Sequence, residues 1–394
     1  MGRESVAEYA EAIRPRYLAS TKGEKQQLLT DFCRTTGYHR KAAIRLLRRP
    51  AQEADRPTPR TRGRPQRYNA LVIGALKTCW EAANRISGKR LAPFLPQLVD
   101  RLEACRELQV DAPTRAALVQ LSASTIDRRL SSERRTFPKA AARRNGNTAE
   151  FRRQIPVRIA GTWRNAPLGT LQADLVEHCG EHADGSFLYT LTVVEVGTVW
   201  TVCRPIRSKA MGRVRAAFHR IRQGLPMPVV SLHTDNGSEF LNAQLMAYCR
   251  QEQLDFTRGR PYRKNDQAHV EQRNWVAVRE VVGYARFSSP AAYTTMEQVY
   301  AAHALYMNFF QPVRKVMKVE RSDGKLTKHY DVAQTPYQRL LATEQLSTEA
   351  TYELARLYAH LNPVTLRTEL AVLSRRLWAA RELPKTARAA AGTD

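Results

Sequence analysis

The feature that most constrains the fold of this chain is a series of β-rich runs that gives way to helices over residues 168–283. Three runs come first, with Gly-containing turns between them: LGTLQADLV, FLYTLTVVEV and TVWTVCRPI. A helix, the run MPVVSLHTD, a second helix, the short strand LDFTRGR and a long helix over 265–283 follow. The order βββαβαβα predicts a mixed α/β sheet with helices on both faces.

Three acidic residues occupy unusual positions in this pattern. Asp174 lies inside the first run, where an unpaired carboxylate is costly to bury. Asp235 ends the fourth run, and Glu271 begins the long helix. Helical spacing predicts that Glu271 lies on a largely apolar, inward-facing stripe with Trp275, Val278 and Val282. A divalent cation held between the carboxylates would satisfy all three acids at once.

Asp235 also has a simpler interpretation. It precedes Asn236-Gly237 in the string HTDNGSEF, and Asn-Gly is a strong turn signal. An aspartate there can serve the turn alone, by accepting hydrogen bonds from nearby backbone N–H groups. Each of the three acids has such an alternative as a cap, turn former or buried ion pair, but jointly they have none as good as a metal site.

The three acids, their spacing and the surrounding strings resemble the integrase-like DDE transposases and recombinases. In that family an Asp lies in the first strand, a second Asp follows the fourth strand, and a Glu lies on the next long helix. Thirty-five residues often separate the last two acids, as they separate Asp235 from Glu271 here. The strings HTDNGSEF and RPYRKNDQAHVEQRNW also resemble motif blocks of bacterial insertion-sequence transposases, and the likeness covers about residues 155–310.

The resemblance implies a ribonuclease H-like catalytic fold and a polynucleotidyl transferase that carries out DNA strand transfer. Asp174, Asp235 and Glu271 would be the catalytic residues and the ligands of two Mg²⁺ or Mn²⁺ ions per active site. One ion would activate water or a DNA 3′-hydroxyl, and the other would stabilise the leaving 3′-oxygen. Oxygen ligands suit these hard cations. The implied reaction nicks the ends of a mobile element and joins their 3′-hydroxyls to target DNA.

The chain departs from the family pattern in two respects. Some relatives carry a basic residue seven positions after the glutamate, where this chain has Val278 with Arg279 next to it. The residue that faces DNA ends is therefore expected to differ. The zinc-binding His/His/Cys/Cys module of retroviral integrases has no counterpart in this sequence, and helix-turn-helix units would replace it.

The charge of the chain indicates a polyanionic partner, most simply DNA. Its formal net charge is +26, from 63 Lys and Arg against 37 Asp and Glu, and the surplus is spread along the chain. Residues 22–49 predict two short helices around Gly37, the second of them basic. A helix-turn-helix would place that helix in a major groove, whereas the alternative is a solvated pair of basic helices. The DNA contacts predicted on it are Arg40, Lys41, Arg45 and Arg48.

Three further segments carry predicted DNA-binding residues. RGRP resembles the core of an AT-hook, whose arginines enter narrow minor grooves, although a flexible basic tether explains it equally well. Residues 114–130 look like a second helix-turn-helix, in which Ser122 or Ser124 can cap the second helix. The segment before the Glu271 helix is basic and would clamp phosphates. The predicted residues are Arg62 and Arg64, then Arg128 and Arg129, and finally Arg258, Arg260, Arg263 and Lys264.

The predicted fold class is multidomain: α-helical helix-turn-helix modules at the N-terminus, an α/β ribonuclease H-like catalytic domain, and a small β/α C-terminal region. A hairpin is predicted near the end, with its turn at Asp323-Gly324. The predicted parts are a helix-turn-helix DNA-binding domain at 1–50, a basic linker at 51–68, a second helical DNA-binding domain at 69–135, a basic linker at 136–154, the catalytic domain at 155–312, the hairpin region at 313–345 and a helical region at 346–394.

Two other functions remain open from the sequence. A ribonuclease H-like nuclease or resolvase would use the same carboxylates, but it would not need two recognition modules. A DNA-binding regulator with an inactive catalytic domain is the other alternative, and the presence of all three acids counts against it. Joining two element ends to one target implies a homo-oligomer on double-stranded DNA. Scattered cysteines, with no signal peptide or membrane span, lead us to expect a cytoplasmic protein.

Overall fold

The computed structural model describes residues 3–48, 68–133, 163, 166–260, 268–322 and 325–382. The chain divides into two compact units, residues 1–67 and 68–394. Almost all of the two predicted basic linkers therefore lies outside the described residues, as does the RGRP string with Arg62 and Arg64.

The first unit contains three helices: α1 (Arg3–Ala19), α2 (Lys22–Thr36) and α3 (Arg40–Arg48). A capping box between Thr21 and Glu24 begins α2, and Gly37 ends it with a φ of 72°, a left-handed conformation that glycine adopts at little cost. The helices share one apolar cluster, whose buried members are Val6, Ala10, Tyr17, Leu29, Phe32, Ala43 and Leu47. The two helices predicted around Gly37 are confirmed. The sequence analysis missed α1.

The second unit begins with four helices, as the pattern of residues 69–130 predicts. They are α4 (Ala70–Ala82), α5 (Gly88–Ala104), α6 (Ala112–Val119) and α7 (Ala123–Arg129). Ser122, rather than Ser124, is the N-cap of α7, and its hydroxyl accepts a hydrogen bond from the Thr125 N–H. A Cβ on Gly88 would collide with the Ala123 carbonyl oxygen, so only glycine allows α5 and α7 to approach this closely.

The four helices share a hydrophobic core with elements from the end of the chain. These are α12 (Pro290–Phe310), α13 (Pro336–Leu341), α14 (Thr348–His360) and α15 (Pro363–Ala379). The shared cluster joins Leu91 and Leu98 of α5 to Phe309 of α12 and Leu354 of α14. Residues 69–130 therefore complete their core with C-terminal helices, which the predicted domain boundaries do not foresee.

The central sheet has five strands: β1 (Thr170–Glu177), β2 (Tyr189–Glu195), β3 (Thr201–Ile206), β4 (Ser231–Thr234) and β5 (Asp255–Arg258). Their order is β3-β2-β1-β4-β5. The first three strands pair antiparallel, whereas β1, β4 and β5 pair parallel. The predicted mixed sheet is confirmed.

Helices cover both faces of this sheet, because each face carries apolar side chains that need burial. On one face, α8 (Met211–Gln223) and α9 (Ala243–Gln251) pack on a cluster that includes Leu171 and Leu191. On the other face, Val176 and Cys203 meet α12 and a helical segment that follows β5. That segment consists of α10 (Ala268–Asn274), a π-helical turn (Trp275–Arg279) and α11 (Glu280–Val282).

The predicted hairpin is present as β6 (Val316–Ser322) and β7 (Lys325–Tyr330), which pair antiparallel. Its predicted turn residues, Asp323 and Gly324, lie outside the described residues. None of the helices described is both long and apolar enough to cross a bilayer.

Candidate active site

Two of the three predicted acids lie side by side on neighbouring parallel strands, Asp174 in the middle of β1 and Asp235 directly after β4. The last paired residues of β1 and β4 are Ala173 and Thr234, so Asp174 and Asp235 are the next residues along each strand. Parallel neighbours lie about 4.7–4.9 Å apart, and residues level with each other point to the same face of the sheet. The register thus brings together two carboxylates that are 61 positions apart in the sequence.

The third acid, Glu271, acts electrostatically on both aspartates. Burial, the carboxylate of Asp235 and that of Glu271 raise the pKa of Asp174 to about 7. The pKa of Asp235 is also raised, first by burial and then by the negative charge of Glu271. The structure therefore brings the three acids close enough that Asp235 and Glu271 disfavour ionisation of Asp174, and Glu271 disfavours ionisation of Asp235.

A residue that the sequence analysis missed fixes the orientation of Asp174. The Asn274 side-chain amide donates a hydrogen bond of 2.5 Å to Asp174 Oδ2, and the Leu175 backbone N–H donates one of 2.9 Å to Asp174 Oδ1. Both bonds stabilise the ionised form and so lower the pKa that burial raises. The available signal was spacing, because Asn274 lies three positions after Glu271 and residues so spaced are neighbours on a helix.

The turn after β4 is held by its own polar groups. The Gly237 backbone N–H donates to Asp235 Oδ1 at 2.9 Å, which is the turn-forming role that the simpler interpretation of Asp235 proposes. Asn236 donates to the Gly259 carbonyl at 2.9 Å and accepts from the Arg258 guanidinium at 3.1 Å. Arg258 thus ties the end of β5 to the turn that carries Asp235. Asp235 therefore both stabilises the turn and lies near the other acids.

Glu271 does not lie on the predicted stripe. Val278 and Val282 are buried, but Glu271 is exposed and Trp275 is 44% exposed. The prediction assumed an uninterrupted α-helix, whereas residues 275–279 form a π-helical turn. A π-turn bonds residue i to i+5, so the residues after it are displaced by about one position around the helix axis. The inward-facing stripe is therefore wrong for Glu271 and Trp275.

A fourth carboxylate borders the site. Burial raises the pKa of Glu239, and the negative charge of Asp235 adds to this effect while Lys209 opposes it. The side chain of Glu239 folds back over Gly237, where a Cβ would come within 2.6 Å of its carboxylate carbon. Glycine at position 237 therefore makes room for an acid beside the Asp235 turn.

The predicted DNA-binding residues have different environments. Arg40, Lys41, Arg45 and Arg48 are all exposed on α3, while Arg128 is exposed and Arg129 half-buried on α7. Arg260 is exposed, but Arg258 is only 9% exposed and its guanidinium donates to Asn236. Arg263 and Lys264 lie outside the described residues. The DNA contacts of these residues remain predictions.

Comparison with known proteins agrees with the resemblance read from the motifs. The model of the integrase core domain family matches residues 164–264, a range that contains Asp174 and Asp235 and ends before Glu271. The chain is 38% identical over 332 residues to the uncharacterized protein y4rM of Sinorhizobium fredii, which covers 84% of this chain and 94% of that protein. The chain belongs to the integrase-like DDE transposase family.

A solved structure similar to this integrase-like protein is the catalytic core domain of BIV integrase. It is 20% identical, with 45% of this chain and 95% of that chain covered and a TM-score of 0.29. The integrase core domain assigns the protein to the polynucleotidyl transferases, with DNA as the substrate of the family.

Integrase-type cores generally use divalent metals, and the residues present fit such ions. The candidate ligands of Asp174, Asp235 and Glu271 are all carboxylate oxygens, which Mg²⁺ and Mn²⁺ prefer. Burial raises the pKa of both aspartates, the negative charges of neighbouring acids raise it further, and a bound cation would offset both effects. No three His, Cys, Asp or Glu side chains within the described residues are already arranged around one ion position.

Proposed function

We propose that this integrase-like protein is a DNA transposase that binds the ends of a mobile element, nicks them and joins the 3′-hydroxyl ends to target DNA. The observation that carries this proposal is the juxtaposition of Asp174 of β1 with Asp235 after β4, and the field that Glu271 of α10 exerts on both. Carboxylates brought together at such a cost are typical of a catalytic site.

The three acids would hold Mg²⁺ or Mn²⁺, two ions per site. When bound, such ions supply an activated oxygen nucleophile and stabilise the leaving oxygen at phosphorus. The protein's own task is then to place the ligands and the DNA. Asn274 orients Asp174 through its 2.5 Å hydrogen bond. Arg258 and Asn236 hold the turn that carries Asp235.

The basic surfaces support recognition of DNA ends. The exposed cations of α3 lie in the first compact unit, and the exposed Arg128 lies on α7 in the second unit. Contacts between these side chains and phosphates would hold the duplex, whereas base contacts from either helix would supply specificity. A catalytic site that joins two ends to one target would work as a homo-oligomer on DNA.

The proposal can be tested on the DNA that flanks the coding sequence, since a transposase acts on the ends of the element that encodes it. Purified protein is incubated with flanking-sequence duplexes, a target plasmid and Mg²⁺ or Mn²⁺, and nicking and joining are quantified. Asp174→Ala, Asp235→Ala and Glu271→Gln should each lower both rates by more than about 100-fold, since even residues that only orient metal ligands cost about 10- to 100-fold. DNA binding should change little.

Glu280→Gln is the matched control, because it removes the same charge from an exposed site nine positions further along the helical segment. It should nick and join at the wild-type rate. Metal-dependent joining that survives in Glu271→Gln would remove Glu271 from the site. Cleavage without any joining would favour the nuclease alternative, and sequence-specific binding without either reaction would favour the regulator.

A further inference from the structure

The hairpin of β6 and β7 carries an unusual concentration of exposed apolar side chains. Six of the 17 large apolar side chains that are exposed within the described residues lie between positions 316 and 332. They are Val316, Met317, Val319, Leu326, Tyr330 and Val332. Apolar surface gathered in one place commonly marks a contact with another macromolecule, and an isolated two-stranded sheet is only marginally stable in water. The hairpin is therefore expected to gain a partner.

The base of the hairpin is fixed to the rest of the second unit. The Asp331 carboxylate accepts from the Lys315 backbone N–H at 2.6 Å and from the Arg339 guanidinium of α13 at 2.7 Å. The Lys315 ammonium donates to the Gly197 carbonyl at 2.5 Å, in the turn between β2 and β3. Each side chain that the structure describes between positions 316 and 330 is exposed. The two strands thus extend into solvent from a firmly held base.

The outer edge of β6 has no other strand beside it within the described ranges. β6 pairs with β7 alone, from Val316 opposite Tyr330 to Ser322 opposite Lys325. An edge strand presents unpaired N–H and C=O groups, which form a template for a strand of another chain. The sequence of β7, KLTKHY, contains two lysines and no acid, whereas β6, VMKVERS, contains charges of both signs. The edge of β6 is therefore the one suited to a second copy of itself.

The charges of β6 complement one another when two copies pair antiparallel. Val319 is the middle residue of the strand, so full overlap places Val319 opposite the same residue of the second copy. Lys318 then lies opposite Glu320, and Glu320 lies opposite Lys318. Opposite charges directly across an antiparallel pair are stabilising, whereas a register centred on Glu320 would place two glutamates opposite each other. The bulge between Val316 and Lys318 lies outside the three central pairs.

The two faces of the hairpin suit this arrangement. On one face, the Lys318 ammonium lies 2.6 Å from the Glu320 carboxylate, so these two charges compensate each other within each copy. Val319 is on the other face, level with Lys328. Leu326 shares that face, because strand residues two positions apart point to the same side. Pairing through β6 would gather the apolar side chains of both copies on one face of a four-stranded sheet.

We propose that two copies of this protein associate through β6, which pairs antiparallel with β6 of the second copy to form one four-stranded sheet. The complementarity of Lys318 and Glu320 favours a second copy over DNA as the occupant, because the Glu320 carboxylate would repel phosphates. A surface that pairs with itself about a two-fold axis gives a closed dimer. The inference goes beyond the proposed function, because this dimer needs neither DNA nor metal.

The test measures the mass of the full-length protein by sedimentation equilibrium, without DNA or metal. About 0.15 M salt is suitable, because its Debye length of about 8 Å screens the overall repulsion between two chains more than contacts across neighbouring strands. The wild type should dimerise. Lys318→Glu and Glu320→Lys change the net charge in opposite directions, yet each should raise the Kd of the dimer about tenfold or more, because both cross-copy pairs become like-charged.

Mixing the two reversed variants separates pairing from misfolding. In a heterodimer of Lys318→Glu with Glu320→Lys, both cross-copy pairs again join opposite charges. An equimolar mixture should therefore regain most of the wild-type affinity, although neither chain alone does. Lys328→Glu is the matched control, because it reverses an exposed lysine on β7 rather than on the pairing strand. Its Kd should equal that of the wild type.

A cysteine at the centre of β6 gives a second measurement. Residues directly opposite each other in an antiparallel pair have Cα atoms about 4.5–5.5 Å apart, within the range of a disulfide. Val319→Cys should therefore form a covalent dimer under mild oxidation. Leu326→Cys, on β7, should not, and neither should the wild type with its six free cysteines.

The inference is overturned if the wild type stays monomeric at every concentration, if the mixture of reversed variants regains nothing, or if Leu326→Cys crosslinks as readily as Val319→Cys. Weaker DNA binding by Lys318→Glu at an unchanged mass would also overturn it and make DNA the occupant. Dimers with the expected register in a protein that neither nicks nor joins DNA would refute the proposed function alone.

Discussion

Replacing Asn274 with alanine should lower the activity strongly while leaving the stability of the fold nearly unchanged. The substitution removes the 2.5 Å hydrogen bond to Asp174, and a hydrogen bond to a charged group contributes about 1.5–3 kcal/mol. It also removes Asn274 Oδ1, which is buried and accepts no hydrogen bond from the described residues. Such an unsatisfied acceptor costs about 1–3 kcal/mol, so the two effects largely cancel. We expect the free energy of unfolding to change by less than about 1 kcal/mol.

The effect on the reaction should be much larger. Asn274 orients a carboxylate that would hold the metal, and loss of such a supporting contact typically costs about 10- to 100-fold in metal affinity or activity. The half-maximal Mg²⁺ or Mn²⁺ concentration for DNA nicking should rise accordingly. Direct titration with Mn²⁺, followed by electron paramagnetic resonance, should show the same weakening without reference to activity.

Asn308→Ala serves as the control, because it should lower stability and leave metal binding unchanged. The Asn308 side chain accepts from the Thr201 N–H at 2.9 Å and donates to the Thr201 carbonyl at 2.8 Å, at the start of the edge strand β3, which two strands separate from β4. Its loss leaves two buried backbone groups unpaired, so Asn308→Ala should lower the melting temperature without weakening Mn²⁺ binding. If Asn274→Ala behaves like Asn308→Ala, or binds Mn²⁺ as the wild type does, then Asn274 does not position Asp174 for a metal.

Two further predictions concern DNA binding and assembly. Changing Arg40 and Arg45 of α3 to Gln should reduce the slope of log affinity against log salt by about 1.8, if each contacts a phosphate, while the same change at the exposed Lys22 and Arg34 of α2 should leave the slope unaltered; equal slopes for both pairs would place DNA elsewhere. Mixing Glu271→Gln protein with a chain that lacks residues 1–67 should restore joining if subunits cooperate on DNA, and failure at every mixing ratio would contradict a shared assembly.

Local sequence patterns correctly predicted most of the described helices and strands of this protein. Strand alternation and turn residues give the order of β1 to β5, and the capping residues Ser122 and Gly37 lie where α7 begins and α2 ends. These features depend on residues a few positions apart, so they are readable without tertiary contacts. The helix α1 was missed because its apolar periodicity is weak and Pro15 lies inside it.

The candidate site was predictable only in part. From the sequence, Asp174 could be placed inside the first strand and Asp235 at the end of the fourth, and the family resemblance joined them to Glu271. Whether the two aspartates meet depends on β1 and β4 being neighbours, which strand order decides and sequence position does not.

Tertiary packing alone decided the remaining features. The contact of Asn274 with Asp174 joins residues 100 positions apart. The π-turn at 275–279 changes which side chains face outward, because burial of Val278 against the sheet competes with the regular hydrogen-bond spacing of the helix. Likewise, α4 to α7 complete their core with C-terminal helices. Hydrophobic periodicity shows that a helix has a face to bury, but the surface that covers it is fixed only when distant segments fold together.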